Sequence, residues 1–204
     1  MGKLFIKMKN KNLSLTIAMF IFAISSFAQQ IGSFTDSRDG KTYKTVKIGT
    51  QTWMAENLAF KADSGCWAYN DDQNNVKNYG YLYSWGTAKN VCPTGWHLPS
   101  DAEWTTLINN FGGVLVAGEK MKSKNGWNEN GNGTNTSGFT ALPGGLRAHY
   151  GTFYDIGYNG NWWSSTEYDI DNAWHMGMDG KDSVVYRNTT SKPSGFSVRC
   201  VSDY

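Results

Sequence analysis

The second half of the sequence consists of short aromatic or β-branched runs separated by turn residues. From Asn125 onward, no stretch carries the apolar spacing of three and four residues that is typical of a helix. Short runs bounded by Gly, Asn, Asp and Ser predict strands, and with no helix between them they are expected to pair antiparallel. The predicted strands are residues 139–142, 151–156, 162–166, 173–178, 184–188 and 196–201.

One helix is clearly predicted before these strands. Ser100 and Glu103 have the spacing of a capping box, in which each side chain bonds the other's backbone N–H. Gly112 and Gly113 end the helix. The pattern predicts a helix over 100–111 and a second, shorter one within 114–123. The apolar residues that repeat on one face are Trp104, Leu107, Ile108 and Phe111.

The first half of the chain predicts a hairpin, a loop and a polar leader. Two β-rich runs between 41 and 54 flank Gly49-Thr50, which predicts a hairpin. Residues 63–77 are polar and predict a loop, and residues 29–38 are expected to be a flexible leader. The expected fold class is α+β, with one or two helices packed on short antiparallel strands in one domain, residues 39–203.

The first 28 residues have the composition of a secretory signal peptide. Lys3, Lys7, Lys9 and Lys11 precede an uncharged stretch, and small residues lead up to Ala28. This order predicts cleavage after Ala28. An uncleaved anchor is the alternative, although the apolar run of 13–27 is shorter than the roughly 20 residues that span a bilayer. The mature chain has no further stretch that could form a stable membrane span.

Removal of the leader changes the charge. The four lysines leave with it, so 15 Lys and Arg remain against 17 Asp and Glu, and a net charge of +2 becomes −2. A nucleic-acid partner is therefore not expected. The sequence predicts a secreted or cell-surface chain. Nine Trp and 11 Tyr indicate a folded domain, because disordered chains contain few aromatic residues.

The cysteines and histidines offer little for chemistry. Three cysteines in an oxidising compartment predict one disulfide and one unpaired thiol, and Cys66 is the candidate nucleophile if the other two pair. His97, His149 and His175 are far apart, and none lies two to four residues from a cysteine. No zinc or other metal site is therefore predicted, and no cofactor is expected.

Acidic residues cluster after the predicted strand 162–166. Glu167, Asp169 and Asp171 alternate, so an extended backbone would place their carboxylates on one face. Such a cluster is compatible with a calcium ion or an acid/base pair. A solvated loop is the simpler interpretation, and calcium remains an open alternative.

Six separated blocks of the sequence are distinctive. They are residues 48–58, 79–83, 91–104, 138–146, 158–174 and 195–201, of which 91–104 (Val-Cys-Pro-Thr-Gly-Trp-His-Leu-Pro-Ser-Asp-Ala-Glu-Trp) and 195–201 (Gly-Phe-Ser-Val-Arg-Cys-Val) are the most specific. Together they resemble the Fibrobacter succinogenes major paralogous domain (FISUMP). The similarity extends from about Asp39 to Val201 and implies a secreted or cell-surface bacterial protein with no established biochemical activity.

The same blocks are more distantly similar to the C-type-lectin-like and formylglycine-generating-enzyme fold group. There, a Cys-Pro-x-Gly-Trp stretch leads into the first helix and a Gly-Phe-x-x-Arg-Cys strand closes the domain. That resemblance implies the fold and a pairing of Cys92 with Cys200, with Cys66–Cys92 as the rival pairing. The sequence contains none of the motifs Glu-Pro-Asn, Gln-Pro-Asp or Trp-Asn-Asp and lacks a catalytic cysteine pair near its C-terminus. Lectin activity and oxidase-like catalysis therefore do not carry over.

A ligand, if the chain has one, is expected on residues 161–175. Trp162 and Trp163 are adjacent, so on a strand they point to opposite faces. One is expected to be buried against the helix that carries Trp104, and the other is a candidate aromatic plate for a sugar or a partner side chain. A small aromatic core that buries these tryptophans is the simpler interpretation. The further predicted ligand-binding residues are Glu167, Tyr168, Asp169, Asp171, Asn172 and Trp174.

The sequence thus favours a non-catalytic extracellular or cell-surface binding module whose partner is a glycan or a surface protein. Two alternatives remain at this stage. One is a hydrolase acting on extracellular polysaccharide, which would need an acid and a base converging on one cavity. The other is a purely structural surface protein.

Overall fold

The computed structural model describes residues 29–204, so the signal peptide predicted over 1–28 lies outside the described residues. The strands are β1 (Gln30–Thr35), β2 (Thr42–Ile48), β3 (Gln51–Met54), β4 (Cys66–Trp67), β5 (Leu82–Tyr83), β6 (Trp96–His97), β7 (Gly144–Arg147), β8 (Phe153–Ile156), β9 (Asn159–Glu167), β10 (Asn172–Asp179), β11 (Tyr186–Ser191), β12 (Phe196–Ser197) and β13 (Val201–Ser202). The helices are α1 (Asn74–Tyr79), α2 (Trp85–Val91), α3 (Asp101–Asn109) and α4 (Ala117–Met121), and a short 3-10 helix covers Tyr69–Asp71.

The first sheet has five strands in the order β1-β2-β3-β13-β6. The predicted hairpin is confirmed as β2 and β3, which pair antiparallel from Thr45↔Met54 to Ile48↔Gln51. Gly49 begins the connection with φ +59°, and a Cβ there would lie 2.9 Å from Oδ1 of Asn110. The turn therefore requires glycine.

The second sheet has the order β11-β10-β9-β12-β5-β4, and β7 joins it beside β9 while also pairing with β8. Two of these pairings are parallel, namely β7 with β9 and β12 with β9. The prediction of antiparallel strands alone is therefore wrong at these pairs. It assumed that consecutive runs pair with one another, whereas β8 intervenes between β7 and β9, and β10 and β11 intervene between β9 and β12.

Strand β9 is covered on both faces and separates two apolar cores. Trp162 belongs to the cluster of Trp53, Trp104 and Phe139, and its ring centroid lies 6.3 Å from that of Phe139. Trp163 belongs to the other cluster, where its ring centroid lies 4.6 Å from that of Phe196. The alternation of side chains along one strand thereby supplies both cores with a large aromatic residue.

A buried polar network links the segments around β9. Oδ1 of Asn57 accepts hydrogen bonds from Nε1 of Trp162 at 2.9 Å and from Nε of Arg199 at 3.0 Å. Nδ2 of Asn57 donates to the carbonyl of Tyr79 at 2.8 Å and to Oγ of Ser197 at 3.2 Å. Both functional groups of the amide are therefore satisfied, as burial of a polar side chain requires.

Arg199 is buried without a carboxylate partner in hydrogen-bonding contact. Besides Asn57, its guanidinium donates to the carbonyl oxygens of Phe139 and Thr140, the latter at 2.8 Å. Burial lowers the pKa of Arg199 to about 9, a shift that the charge of Glu56 opposes. The Phe139 ring also contacts the cation, with its centroid 4.2 Å from Cζ of Arg199. Because backbone oxygens, one amide oxygen and this ring replace water around the cation, their positions are tightly coupled to it.

The predicted helix near 100–111 is confirmed as α3. Oγ of Ser100 accepts from the backbone N–H of Glu103, and the Glu103 carboxylate accepts from the backbone N–H of Ser100 at 2.7 Å, which completes the capping box. Trp104, Leu107 and Ile108 are buried on its inner face. The second predicted helix is shorter than 114–123, since α4 covers only Ala117–Met121.

Several elements differ from their predictions. Residues 29–204 contain four α-helices where one or two were expected. The sequence did not predict α1 and α2 because they are only six and seven residues long, which is too short to show a periodic apolar face. The leader expected over 29–38 contains β1, which pairs with β2 from Gln30↔Lys47 to Thr35↔Thr42. None of the β1 side chains is fully buried. The strand is formed by backbone hydrogen bonds to β2, so its sequence shows no apolar alternation from which it could be predicted. Residues 139–142 form no strand, only a bridge at Ala141.

The architecture is α+β, and the disulfide implied by the resemblance is present. Cys92 follows α2 and is bonded to Cys200, which lies just before β13, with Cα atoms 5.9 Å apart. Cys66 is the unpaired cysteine of the described residues. None of the helices in residues 29–204 has the length and the apolar character needed to cross a membrane.

Removal of the disulfide should destabilise the domain strongly. The bond joins residues 108 positions apart, and closure of a loop this long corresponds to about 4–5 kcal/mol in the chain-entropy model. We expect Cys92→Ser/Cys200→Ser to lower the free energy of unfolding by about 2–5 kcal/mol in urea titrations. Cys66→Ser is the control. An equal loss in the control would show that the disulfide is not the stabilising element.

Truncation of the small Asn57 side chain should lower the stability of the domain strongly. Asn57→Ala leaves the Trp162 and Arg199 N–H groups without their acceptor in a buried site, so we expect a loss of about 3–5 kcal/mol in the free energy of unfolding. Asn78→Ala, at an exposed position, should change it by less than about 0.5 kcal/mol. Similar denaturation midpoints for both variants would contradict the role of the network.

Candidate functional site

Trp162 and Trp163 cannot form the predicted ligand plate. Both indoles are fully buried, and their N–H groups are bonded inside the protein, Trp162 to Asn57 and Trp163 to the carbonyl of Tyr83 at 2.7 Å. The two rings do point to opposite faces, and Trp162 shares a cluster with Trp104 as expected. The prediction is wrong for the second indole because a second core covers the other face of β9.

The predicted residues that do reach the surface surround Trp174. Its ring is partly exposed on β10, and the ring of Tyr168 packs edge-on against it with centroids 5.1 Å apart. Ile170 is 87 % exposed at the tip of the loop between β9 and β10. We call this region the loop surface, defined by Tyr168, Ile170, Trp174 and Arg187.

The loop surface is anchored to α3. Cζ of Arg187, on β11, lies 3.3 Å from the ring centroid of Trp174. The same guanidinium donates to both carboxylate oxygens of Asp101, at 2.5 and 3.0 Å. A bidentate pair restricts the Arg187 side chain, and the stacked guanidinium in turn restricts the indole. The aromatic pair is therefore presented in one orientation.

The Asp169 carboxylate stabilises the conformation of the loop between β9 and β10 by hydrogen bonds within the loop. Oδ1 of Asp169 accepts from the backbone N–H groups of Asp171 and Asn172, at 2.9 and 2.7 Å, and the Asn172 amide donates to the same carboxylate. The hydrogen bond from Asn172 is the main reason why the pKa of Asp169 is lowered. The Asp171 side chain is exposed.

A lysine ammonium lies among the oxygen atoms of this loop. Nζ of Lys192 pairs with the Glu167 carboxylate and donates to the carbonyls of Asp169 and Ile170, at 2.8 and 2.6 Å. Within residues 29–204, no three His, Cys, Asp or Glu side chains converge in a way that could hold a metal ion. Of the three acidic residues that suggested calcium, only Glu167 contacts this ammonium through its carboxylate, and Asp169 contacts it through its backbone carbonyl.

The histidines and the thiol are poorly placed for catalysis. The ring nitrogens of His97 contact Asp203 at 2.5 Å and Glu103 at 2.8 Å, so neither nitrogen is left as a base. His175 packs against Trp163 and Phe196, and burial lowers its pKa to about 4. Burial also raises the pKa of the Cys66 thiol, which disfavours the nucleophilic thiolate.

A cleft of about 510 Å³ beside the buried network offers one acid. Glu56 is its only carboxylate, and the lysines Lys41 and Lys77 line the same cleft. Thr140, another lining residue, has φ +56°, a conformation that β-branched residues rarely adopt. Hydrogen bonds of about 3 Å to the Asn135 amide hold it there. An acid/base pair across this cleft is absent.

Comparison with known proteins gives a family and no individual relative. The family model described as Fibrobacter succinogenes major domain matches residues 46–202. No curated protein and no solved structure matches the chain. The match begins within β2, ends with β13, and includes α3, both cysteines of the disulfide and the loop surface.

The carboxylates around His97 should make stability depend on pH. Burial opposes protonation, but the hydrogen bonds to Asp203 and Glu103 outweigh it and raise the pKa of His97. A raised pKa stabilises the fold below about pH 6.5, and this stabilisation is lost as the pH rises through the raised value. We expect the melting temperature to fall between about pH 7 and pH 8.5, above the range in which the lowered pKa of the buried His175 makes stability rise with pH, and we expect His97→Gln to flatten this fall.

His149→Gln is the control for this measurement, because His149 is exposed and forms no salt bridge among the described residues. Its profile should follow that of the unmodified chain. A His97→Gln profile that keeps the full slope would show that other groups cause the pH dependence.

Proposed function

This chain belongs to the Fibrobacter succinogenes major domain family, and we propose that it is a non-catalytic binding module that acts outside the cell or at the cell surface. Its ligand is a glycan or a surface protein. The observation that carries this proposal is the Tyr168–Trp174 pair, a partly exposed aromatic surface that Arg187 and Asp101 hold in place.

The Tyr168–Trp174 surface is suited to binding because its side chains are ordered before a ligand arrives. Aromatic rings supply a large contact area at a small cost in side-chain entropy, and they stack on sugar rings and on partner side chains. Here the guanidinium of Arg187 covers part of the indole, and Lys192 bonds two carbonyls of the loop that carries Tyr168. Because the surface is already ordered, little entropy is lost when a ligand binds.

The extracellular location is supported by the disulfide and the predicted signal peptide. Disulfides such as Cys92–Cys200 persist in oxidising compartments and are rare in the cytosol. The C-type-lectin-like fold is part of the same proposal. It is supported by the α+β architecture and by the covalent link between the segment that precedes α3 and the segment that precedes β13.

The proposal of a non-catalytic role is supported by the state of the titratable groups. His97 has both ring nitrogens in contact with carboxylates, Asp169 is used inside its loop, and Glu56 is the only acid of its cleft. A glycoside hydrolase needs two carboxyl groups across one cavity, one of them with a raised pKa. The pKa values of Glu103, Asp169 and Asp182 are all lowered.

A glycan array and a screen of surface proteins test this function. The purified chain is compared with Tyr168→Ala and Trp174→Ala, each assayed with calcium and with a chelator. We expect binding to fall about tenfold or more in both variants, because aromatic anchors dominate binding energy, and to be the same under the two metal conditions. Tyr158→Ala is the matched control, since Tyr158 is 45 % exposed and Tyr168 is 56 % exposed.

Two results would contradict the proposal. One is binding that survives in both variants of the loop surface but is lost in Tyr158→Ala. The other is the appearance of shortened oligosaccharides when the chain is incubated with a polysaccharide, which would indicate a hydrolase.

A further inference from the structure

A second surface combines positive charge with aromatic rings. It contains neither Tyr168 nor Trp174, and it shares with the loop surface only the contact of Lys192, whose ammonium is paired with Glu167. It is a cavity of about 480 Å³, and none of the residues that line it is acidic. We call it the Arg147 trough. Its lining residues are Trp67, Ser84, Gly86, Arg147, His149, Lys192 and Pro193.

Arg147 differs from the other three arginines of the chain. Arg38 is paired with Asp36 and Arg187 with Asp101, while Arg199 is bonded to carbonyls and to Asn57. The Arg147 guanidinium forms none of the salt bridges of residues 29–204, and its Nε is buried without a hydrogen-bond partner. A guanidinium carries five N–H donors that match an oxyanion, so this one is left with unused binding capacity.

The position of Arg147 is fixed by its surroundings. Its backbone exchanges two hydrogen bonds with Gly195, at 2.9 and 2.7 Å. Its Cζ lies 4.1 Å from the ring centroid of Trp67 and 5.8 Å from that of Phe153. A Cβ on Gly195 would lie 3.0 Å from Cβ of Arg147, so glycine is needed for this close packing. The guanidinium is therefore presented to the trough in a restricted orientation.

The edge of the trough suits a saccharide. His149, one of the lining residues, packs edge-on against Tyr150, which is 65 % exposed. The Tyr150 and Tyr154 hydroxyls are 3.1 Å apart and continue the aromatic edge. Aromatic faces with hydroxyl groups contact sugar rings, while the cation receives a charged substituent.

From these observations we propose that the Arg147 trough binds acidic polysaccharide. Arg147 forms a bidentate hydrogen bond with an oxyanion group of the saccharide, either the carboxylate of a uronic acid or a sulfate ester, and the sugar ring lies toward Tyr150 and Tyr154. The inference does not rest on the loop surface, because neither Tyr168 nor Trp174 lines the trough.

The test compares three immobilised polymers, namely polygalacturonate, dextran sulfate and unmodified dextran, as ligands for the full mature chain. We expect binding to one or both charged polymers and none to dextran. The carboxylate and sulfate arms identify the anion. Arg147→Lys keeps the charge but loses the planar fork, so the dissociation constant should rise about tenfold.

A second pair of variants tests the trough without a change at Arg147, whose substitution could also disturb folding. Gly86 is exposed, a Cβ on it would contact nothing within 4 Å, and it lies near the start of α2, where an acid is tolerated. Gly86→Asp should therefore leave the melting temperature unchanged or raise it, while its carboxylate repels the anion and weakens binding about tenfold. Asn90→Asp adds the same charge to the same helix outside the trough and should change binding less than about twofold.

Three outcomes would overturn the proposal. They are the absence of binding to both charged polymers, equal binding to dextran, and equal losses in Gly86→Asp and Asn90→Asp. Tyr168→Ala separates the two proposals, since it should reduce ligand binding at the loop surface and leave binding of acidic polymers intact.

Discussion

The Asn57 side chain is the interaction on which the arrangement of the domain depends. Its amide joins the segment after β3 to the end of α1, to β9, to β12 and to Arg199, all within a buried region. Each partner has few alternatives there, since the Trp162 N–H and the Arg199 cation lie away from water. A network of this kind specifies one register and one packing, because any shift leaves a buried polar group unpaired. The two sheets and the two cores are thus held in one relation to each other.

Local patterns in the sequence predicted those elements that are encoded locally. The capping box of Ser100 and Glu103, the hairpin around Gly49 and most of the strands after Asn125 depend on neighbouring residues. Strand β1 and helices α1 and α2 were missed, because a strand without buried side chains and helices shorter than two turns have no apolar period. The parallel pairings of β9 arise from tertiary arrangement alone.

Only part of the candidate site was predicted, because the rest depends on contacts between residues that are distant in the sequence. Alternation along a strand gave the opposite directions of Trp162 and Trp163, but whether each face is covered depends on distant segments. Likewise, the spacing of Glu167, Asp169 and Asp171 favoured a solvated loop, with calcium as an alternative, and gave no sign of Lys192, which reaches the loop from more than 20 residues away. Lys122 acts similarly, since its buried ammonium donates to the carbonyls of Asp179 and Asp182. Contacts between residues so far apart in the sequence leave no local sequence pattern.

The sequence did not predict a role for Arg147, because only the residues that surround it in the fold distinguish it from any other arginine.

The place of the final strand has a consequence for the order of synthesis. Strand β13 lies between β3 and β6 inside the first sheet, and β12 lies between β9 and β5 inside the second. The seven residues from Phe196 to Ser202 therefore complete both sheets, the disulfide and the Asn57 network. A nascent chain that still lacks them has two interrupted sheets and an unpartnered Cys92. Native closure of the domain is thus deferred until residues 196–202 have been synthesised, and a stop codon before Phe196 yields a polypeptide that cannot reach this structure.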